Sequence, residues 1–220
     1  MVLRIGFLTE RMLLGYGVDL VVHRYAEALS EEGFDVEVHC LRHDGSVARP
    51  YRVMSLLETG GLGRSCYLSC DVPAYADRLN ARPVDLWIAN TPEVYDLVPF
   101  LEKPSIVIEY GTPDPGFFDR KAAVEVARSI RHRFDRVFPR LREQDGILCI
   151  SESLRTWLPA SLRKRATVNH LGVDHYPKVS DAAARAFREE LGVANAVLVL
   201  WVGRMQLADD PQPYKGFRSF

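Results

Sequence analysis

Short apolar runs alternate with longer amphipathic stretches along almost the whole chain. Leu3 to Leu8 predicts a first strand. Val18 to Glu32 predicts a helix with Leu20, Val21, Tyr25, Ala28 and Leu29 on its buried stripe, and Gly33 stops it. Phe34 to Cys40 alternates inward and outward as a second strand, and Asp85–Ala89, Ser105–Glu109 and Gly146–Ile150 predict three more. Thr91-Pro92 reads as a helix cap with a first-turn proline, and Ser151 as the cap of a short helix that Pro159 ends or kinks. Asp44 to Pro73 is less regular, with Thr59–Gly63 as a loop. Near the tail, Ala182–Leu191 is helical, Gly192 stops it, and Ala196–Val202 is a strand.

Nearly uninterrupted apolar strands separated by helices predict an α/β fold, a Rossmann-like doubly wound parallel sheet covered on both faces. Only 18 residues follow Val202, whereas a further βαβ unit needs about 30. The last strand therefore either joins the first sheet or opens a second domain that is truncated. The second option places residues 1–178 in one domain and residues 179–220 in a linker plus the first strand of another.

Composition narrows the class. The 220 residues are 47 % hydrophobic and 26 % charged, with 28 Lys+Arg against 29 Asp+Glu, so no global field points to nucleic acid or a membrane. The four cysteines, Cys40, Cys66, Cys70 and Cys149, form no dense framework and suit a reducing, cytoplasmic compartment. Cys66 and Cys70 lack a second ligand pair, so no metal site is expected. The N-terminal apolar run is broken by Arg4 and is too short for a signal core. His23, His39 and His132 share no triad or metal spacing and read as structural or exposed.

Two clusters could carry chemistry. Leu14-Gly-Tyr-Gly-Val18 lies between the first strand and first helix, where backbone amides and the helix dipole can meet an anion. A dinucleotide fingerprint wants a third glycine where Leu20 stands and an acid at the end of the second strand, which instead reads His39-Cys40-Leu41. The loop thus argues against NAD, and a plain turn stays open beside a ligand loop. Trp201-Val-Gly-Arg204 and Tyr214-Lys-Gly-Phe217 would place a guanidinium and an ammonium at a sheet edge and a helix start. Such a pair suits a departing diphosphate, and two solvated surface cations are the alternative.

Taken as an ordered set, the Gly-x-Gly loop, Cys149-Ile-Ser151, His170-Leu-Gly-Val-Asp174 and Val202-Gly-Arg with Lys215-Gly-Phe resemble the family 4 glycosyltransferases of the GT-B fold. The resemblance implies the first half of that two-domain fold, acceptor-side, followed by an incomplete donor-side domain. It implies retaining transfer of a hexosyl group from a nucleotide-diphosphate sugar to an acceptor hydroxyl on a glycan, lipid or small molecule, with no cofactor and no metal. Gly15, Gly17, Arg204 and Lys215 would then bind the donor diphosphate, and Tyr110 and Glu109 would stand on the acceptor side. Relatives carry a histidine where Tyr110 falls, and the usual Asn-Gly-Val-Asp turn reads Leu171-Gly-Val-Asp174. The family's paired glutamates would lie beyond Phe220, so catalytic residues stay unassigned and this chain alone is expected to transfer no sugar. Two other classes remain: a non-catalytic acceptor- or membrane-docking module needing a partner chain, and another sugar-nucleotide enzyme such as an epimerase.

From Arg120 to Arg142 there are eight Lys/Arg and two acids, with Ala123, Ala127, Ile130, Phe134, Val137 and Leu141 as one apolar stripe and Pro139 as a kink or end. This is either a docked surface helix with solvated arginines or a peripheral contact to an anionic membrane at its inner face. No aromatic platform accompanies the charge, so nucleic acid is not expected.

Overall fold

The computed structural model describes residues 2–13, 17–44, 48–56, 71–111, 115–117, 120–172, 178–193 and 196. By packing the chain divides into two units, residues 1–112 with 125–170, and residues 113–124 with 171–220.

The first unit contains one seven-stranded sheet in the order β3-β2-β1-β4-β5-β6-β7. Its strands are β1 (Arg4–Met12), β2 (Asp35–His43), β3 (Arg52–Ser55), β4 (Leu86–Ala89), β5 (Ser105–Glu109), β6 (Gly146–Cys149) and β7 (Ala166–Val168), and every pairing is parallel. The chain builds outward from β1 to β3, returns, and continues from β4 on the other side of β1. The strand order therefore switches direction between β1 and β4, where α/β sheets open a crevice at their carboxyl ends.

Two apolar layers hold the sheet. On one, Leu8, Trp87, Ala89, Val107 and Ile147 pack with α2 (Val72–Asn80), the 3-10 helix Pro92–Phe100, Val137, Phe138 and Leu162. On the other, Ile5, Phe7, Val36 and Val38 pack with Val22 and Ala26 of α1 (Gly17–Glu31). Gly6 makes the first layer possible. It pairs with Trp87 across β1 and β4, and a Cβ there would lie 2.3 Å from the fully buried indole.

β1 and β2 each run three or four residues past their apolar runs, in register to Met12 and His43. The extra residues, Thr9-Glu10-Arg11 on β1, are polar, which is why the apolar pattern stops early. They stand at the carboxyl edge. Thr91 has the extended backbone of a cap, but its hydroxyl does not cap the following helix. It accepts the Glu10 amide at 3.0 Å, tying the ends of β1 and β4 together. Ser151 does cap α4 (Glu152–Trp157), accepting from the Leu154 amide, and Pro159 separates α4 from α5 (Ala160–Arg163).

The basic stretch is not one helix. α3 (Arg120–Arg131) gives way to a π turn over His132–Val137 and then to a 3-10 turn, Phe138–Arg140, holding Pro139. In the second unit, α6 (Asp181–Glu190) is capped by the Ser180 hydroxyl. The strand expected over Ala196–Val202, the loop at Thr59–Gly63 and the thiols Cys66 and Cys70 lie outside the described residues, save Ala196.

Candidate functional site

At the switch point the ends of β1, β4 and β5 and the start of α1 enclose a cavity of about 240 Å³. Its polar lining is Glu10, Arg11, Asp19, Thr91, Glu93, Glu109, Tyr110 and Arg133. These residues follow from local structure. Apolar strands end at the sheet edge, and the polar residues that continue them have nowhere to go but the crevice.

The deepest pair is ionic. Arg133 Nη1 donates to both carboxylate oxygens of Glu109 at 2.7 and 2.9 Å, and the two residues are 2 % and 3 % exposed. Glu109 Oε1 also accepts the Gly111 amide at 2.9 Å. Gly111 has φ +88° and its pro-Cβ position lies 2.8 Å from a Leu154 methyl, so this tight return needs glycine on both counts. Arg133 Nε is buried and has no hydrogen-bond partner among the described residues. A buried unspent donor of this kind is costly unless a ligand or water accepts from it.

Tyr110 is half-buried and donates to Asn90 Oδ1 at 2.6 Å. Burial pushes its phenol well above the ordinary value, with the Tyr25 phenol adding to the shift and the Asn90 bond opposing it. Tyr110 thus keeps its proton at neutral pH and serves as a hydrogen-bonding group rather than a base. Asn90 is fully buried, and its Nδ2 has no partner among the described residues.

On the β1 side, Asp19 accepts from the Leu13 amide at 3.0 Å and from Arg11 Nε at 3.2 Å. Burial pushes Asp19 up, against the pull of that amide and of Arg11. Burial likewise pushes Glu93 up, against hydrogen bonds from its own amide and the Thr91 hydroxyl, with Glu10 adding repulsion. The lining holds four carboxyl groups, Glu10, Asp19, Glu93 and Glu109, against two guanidinium groups, Arg11 and Arg133. Both cations are already engaged by Asp19 and Glu109. The cavity therefore disfavours an anion and suits hydroxyl groups.

Of the residues singled out in the sequence, the structure brings Glu109 and Tyr110 into this cavity. Gly17 is the first residue of α1, beside the lining residues Val18 and Asp19, and a side chain there would meet open space. Gly15, Arg204 and Lys215 lie outside the described residues. Arg11, Asp19, Asn90, Glu93 and Arg133 were not singled out as site residues. From the sequence Arg133 reads as one of the solvated arginines of the basic stretch, whereas it is buried on Glu109; its spacing from Ile130 and Val137 places it on the apolar stripe and is the signal the sequence carries.

His23, His39 and His132 have polar neighbours elsewhere, Tyr51 at 2.7 Å, Glu37 at 2.8 Å and Asp96 at 2.6 Å. Burial pushes the Cys40 thiol to about 12 and the Cys149 thiol to about 11, so neither is a thiolate at neutral pH. Among the described residues no helix is long and apolar enough to cross a membrane.

No protein-family model matches the sequence, and no curated protein matches it. Solved structures do match. WaaG, described as a glycosyltransferase involved in lipopolysaccharide biosynthesis, aligns with TM-score 0.52 and 11 % identity over 87 % of this chain and 52 % of its own. A glycosyltransferase from Rickettsia africae ESF-5 aligns with TM-score 0.58 and 11 % identity over 93 % of this chain and 54 % of its own. The chain spans about half the length of each. Its α/β fold with a seven-stranded parallel sheet matches about half of a GT-B glycosyltransferase, as the sequence resemblance implied.

Proposed function

We propose that this chain is the acceptor-side half of a retaining, nucleotide-sugar-dependent glycosyltransferase, with residues 1–178 as that domain and residues 179–220 leading into the donor side. The cavity at the switch point receives the acceptor. The reaction would break the bond between the donor's anomeric carbon and its phosphate oxygen and form one to an acceptor hydroxyl oxygen, with configuration retained. This half's contribution is orientation of that hydroxyl. The Arg133 guanidinium faces an acceptor oxygen, Glu93 accepts from an acceptor hydroxyl, and Tyr110 sets one wall.

The donor diphosphate belongs elsewhere. Asp19, in the first turn of α1, already takes up the Leu13 amide and opposes an anion at that helix start. A pyrophosphate near Gly15 and Gly17 therefore needs added cations, the role this reading gives to Arg204 and Lys215. The observation that carries the proposal is the switch-point cavity, lined by more carboxyl groups than guanidinium groups and by Arg133, which keeps one buried, unspent N–H.

Saturation-transfer NMR with a panel of mono- and disaccharides tests it. Expected is millimolar binding by neutral saccharides, weakened several-fold in Glu93→Gln. A chain that binds none of the panel, or that binds saccharides equally well in Glu93→Gln and Tyr110→Phe, would overturn the assignment of this cavity. For the donor side, Arg204→Ala and Lys215→Ala should each weaken binding of nucleoside diphosphates measured by calorimetry.

A further inference from the structure

The change from α3 into a π turn sends neighbouring residues to different places. Arg133 turns inward to Glu109, while His132 turns to Asp96. His132, Arg128, Arg131, Arg136 and Arg140 then line a surface groove of about 720 Å³, closed on its other side by Val72 of α2 and by Asp96 and Phe100 of the 3-10 helix. A π turn inside a helix commonly marks a functional position, because its extra residue re-aims the side chains around it.

The charge in this groove is one-sided. Four arginines face two aspartates, Asp96 and Asp135, and Asp96 is bonded to His132. Arg128 pairs with Glu125, and Arg140 lies over the Phe100 ring at 4.8 Å. Arg131 and Arg136 form no ion pair among the described residues. Of the basic stretch read from the sequence, Arg133 and Arg142 are spent on Glu109 and Asp145. The groove is thus lined by four guanidinium groups, with Arg131 and Arg136 outside any ion pair among the described residues, and guanidinium forks bind phosphate oxygens through paired hydrogen bonds.

We infer that this groove is a second binding site, for a phosphate-bearing group, separate from the switch-point cavity. The inference stands on the groove alone and holds whether or not the cavity takes a saccharide. The phosphate can be carried by a soluble ligand or by the headgroup of an anionic lipid, and the two are separable by experiment.

Calorimetry with inorganic pyrophosphate and co-sedimentation with vesicles of phosphatidylglycerol in phosphatidylcholine read the two sources. In an Arg204→Ala/Lys215→Ala background, which removes the cations assigned to the donor diphosphate, saturable, salt-sensitive binding is expected, at least ten-fold weaker when Arg131→Ala/Arg136→Ala is added and unchanged when Lys164→Ala, an exposed cation elsewhere, is added instead. Binding of pyrophosphate identifies a soluble source, and binding of anionic vesicles alone identifies a membrane-borne one. Both support the site. Absence of binding in both arms overturns it, as does binding that the double variant retains or that neutral phosphatidylcholine vesicles reproduce. Should the double variant lose its thermal transition, Arg131→Gln and Arg136→Gln singly, each still folded, give the same reading.

Discussion

Arg133 and Glu109 join the basic stretch to the end of β5 through two hydrogen bonds of 2.7 and 2.9 Å, with both side chains nearly excluded from solvent. One pair therefore fixes the floor of the cavity and the course of the chain above it. Removing one partner leaves the other charged and buried, which costs about 3–5 kcal/mol, whereas removing both costs much less. Urea denaturation should show Arg133→Met and Glu109→Gln each strongly destabilised. Arg133→Met/Glu109→Gln should recover most of the loss, and additive losses would refute the pairing.

Gly6 sets a second steric limit. Its neighbour across the sheet is the indole of Trp87, and an added methyl would overlap the ring. Overpacking of this kind costs about 1–3 kcal/mol. Gly6→Ala should lower the urea midpoint, and Gly6→Ala/Trp87→Leu should lose less stability than the sum of the two single changes.

How much of this was legible beforehand depended on local pattern. β5 carries an apolar run at Ser105–Glu109 and its bounds are as read, and Ser151 stands as the cap its sequence suggested. β3 and β7 carry little sequence signal because they are four and three residues long and have no buried residue. α2 begins at Val72, capped by Asp71, inside a stretch whose irregular pattern hid it. Glu109 and Tyr110 were found because they end a clean strand at the sheet edge. Asn90 and Glu93 stand at the same edge, but Thr91-Pro92 between them drew the reading toward a helix cap. Arg133 was hidden by its own charge, since a lone arginine on an apolar stripe is distinguished from a surface one only by its partner, 24 positions away.

Glu37 makes stability depend on acid. Burial alone would push its carboxyl up, but hydrogen bonds from His39 and Arg82, with their charges, outweigh burial and hold it down at about 2. A carboxyl depressed in the folded state contributes stability above its unfolded value that is lost as pH falls toward the folded one. The window is thus about pH 4.5 down to about 2, and the loss is at most about 3 kcal/mol. The stability difference between wild type and Glu37→Gln, read by urea titration at pH 6 and pH 2.5, should shrink as pH falls. A difference that stays constant would refute the linkage.

Glu93 should behave in the opposite sense. Burial raises its carboxyl above the ordinary value, so the folded state holds the proton more tightly than the unfolded chain does. The cost of ionising it in place is fully developed at neutral pH and absent below the unfolded value near 4.5. Glu93→Gln removes that ionisation while keeping the size and polarity of the side chain. The variant should therefore gain stability at pH 7 relative to wild type and gain nothing at pH 4. Saccharide binding should move the other way, weaker in the variant at pH 7 and converging with wild type as acid protonates the native carboxyl. Opposite signs for stability and binding at pH 7 are what a residue kept for a ligand produces. If Glu93→Gln destabilises the protein at neutral pH, the carboxylate is holding the fold rather than an acceptor.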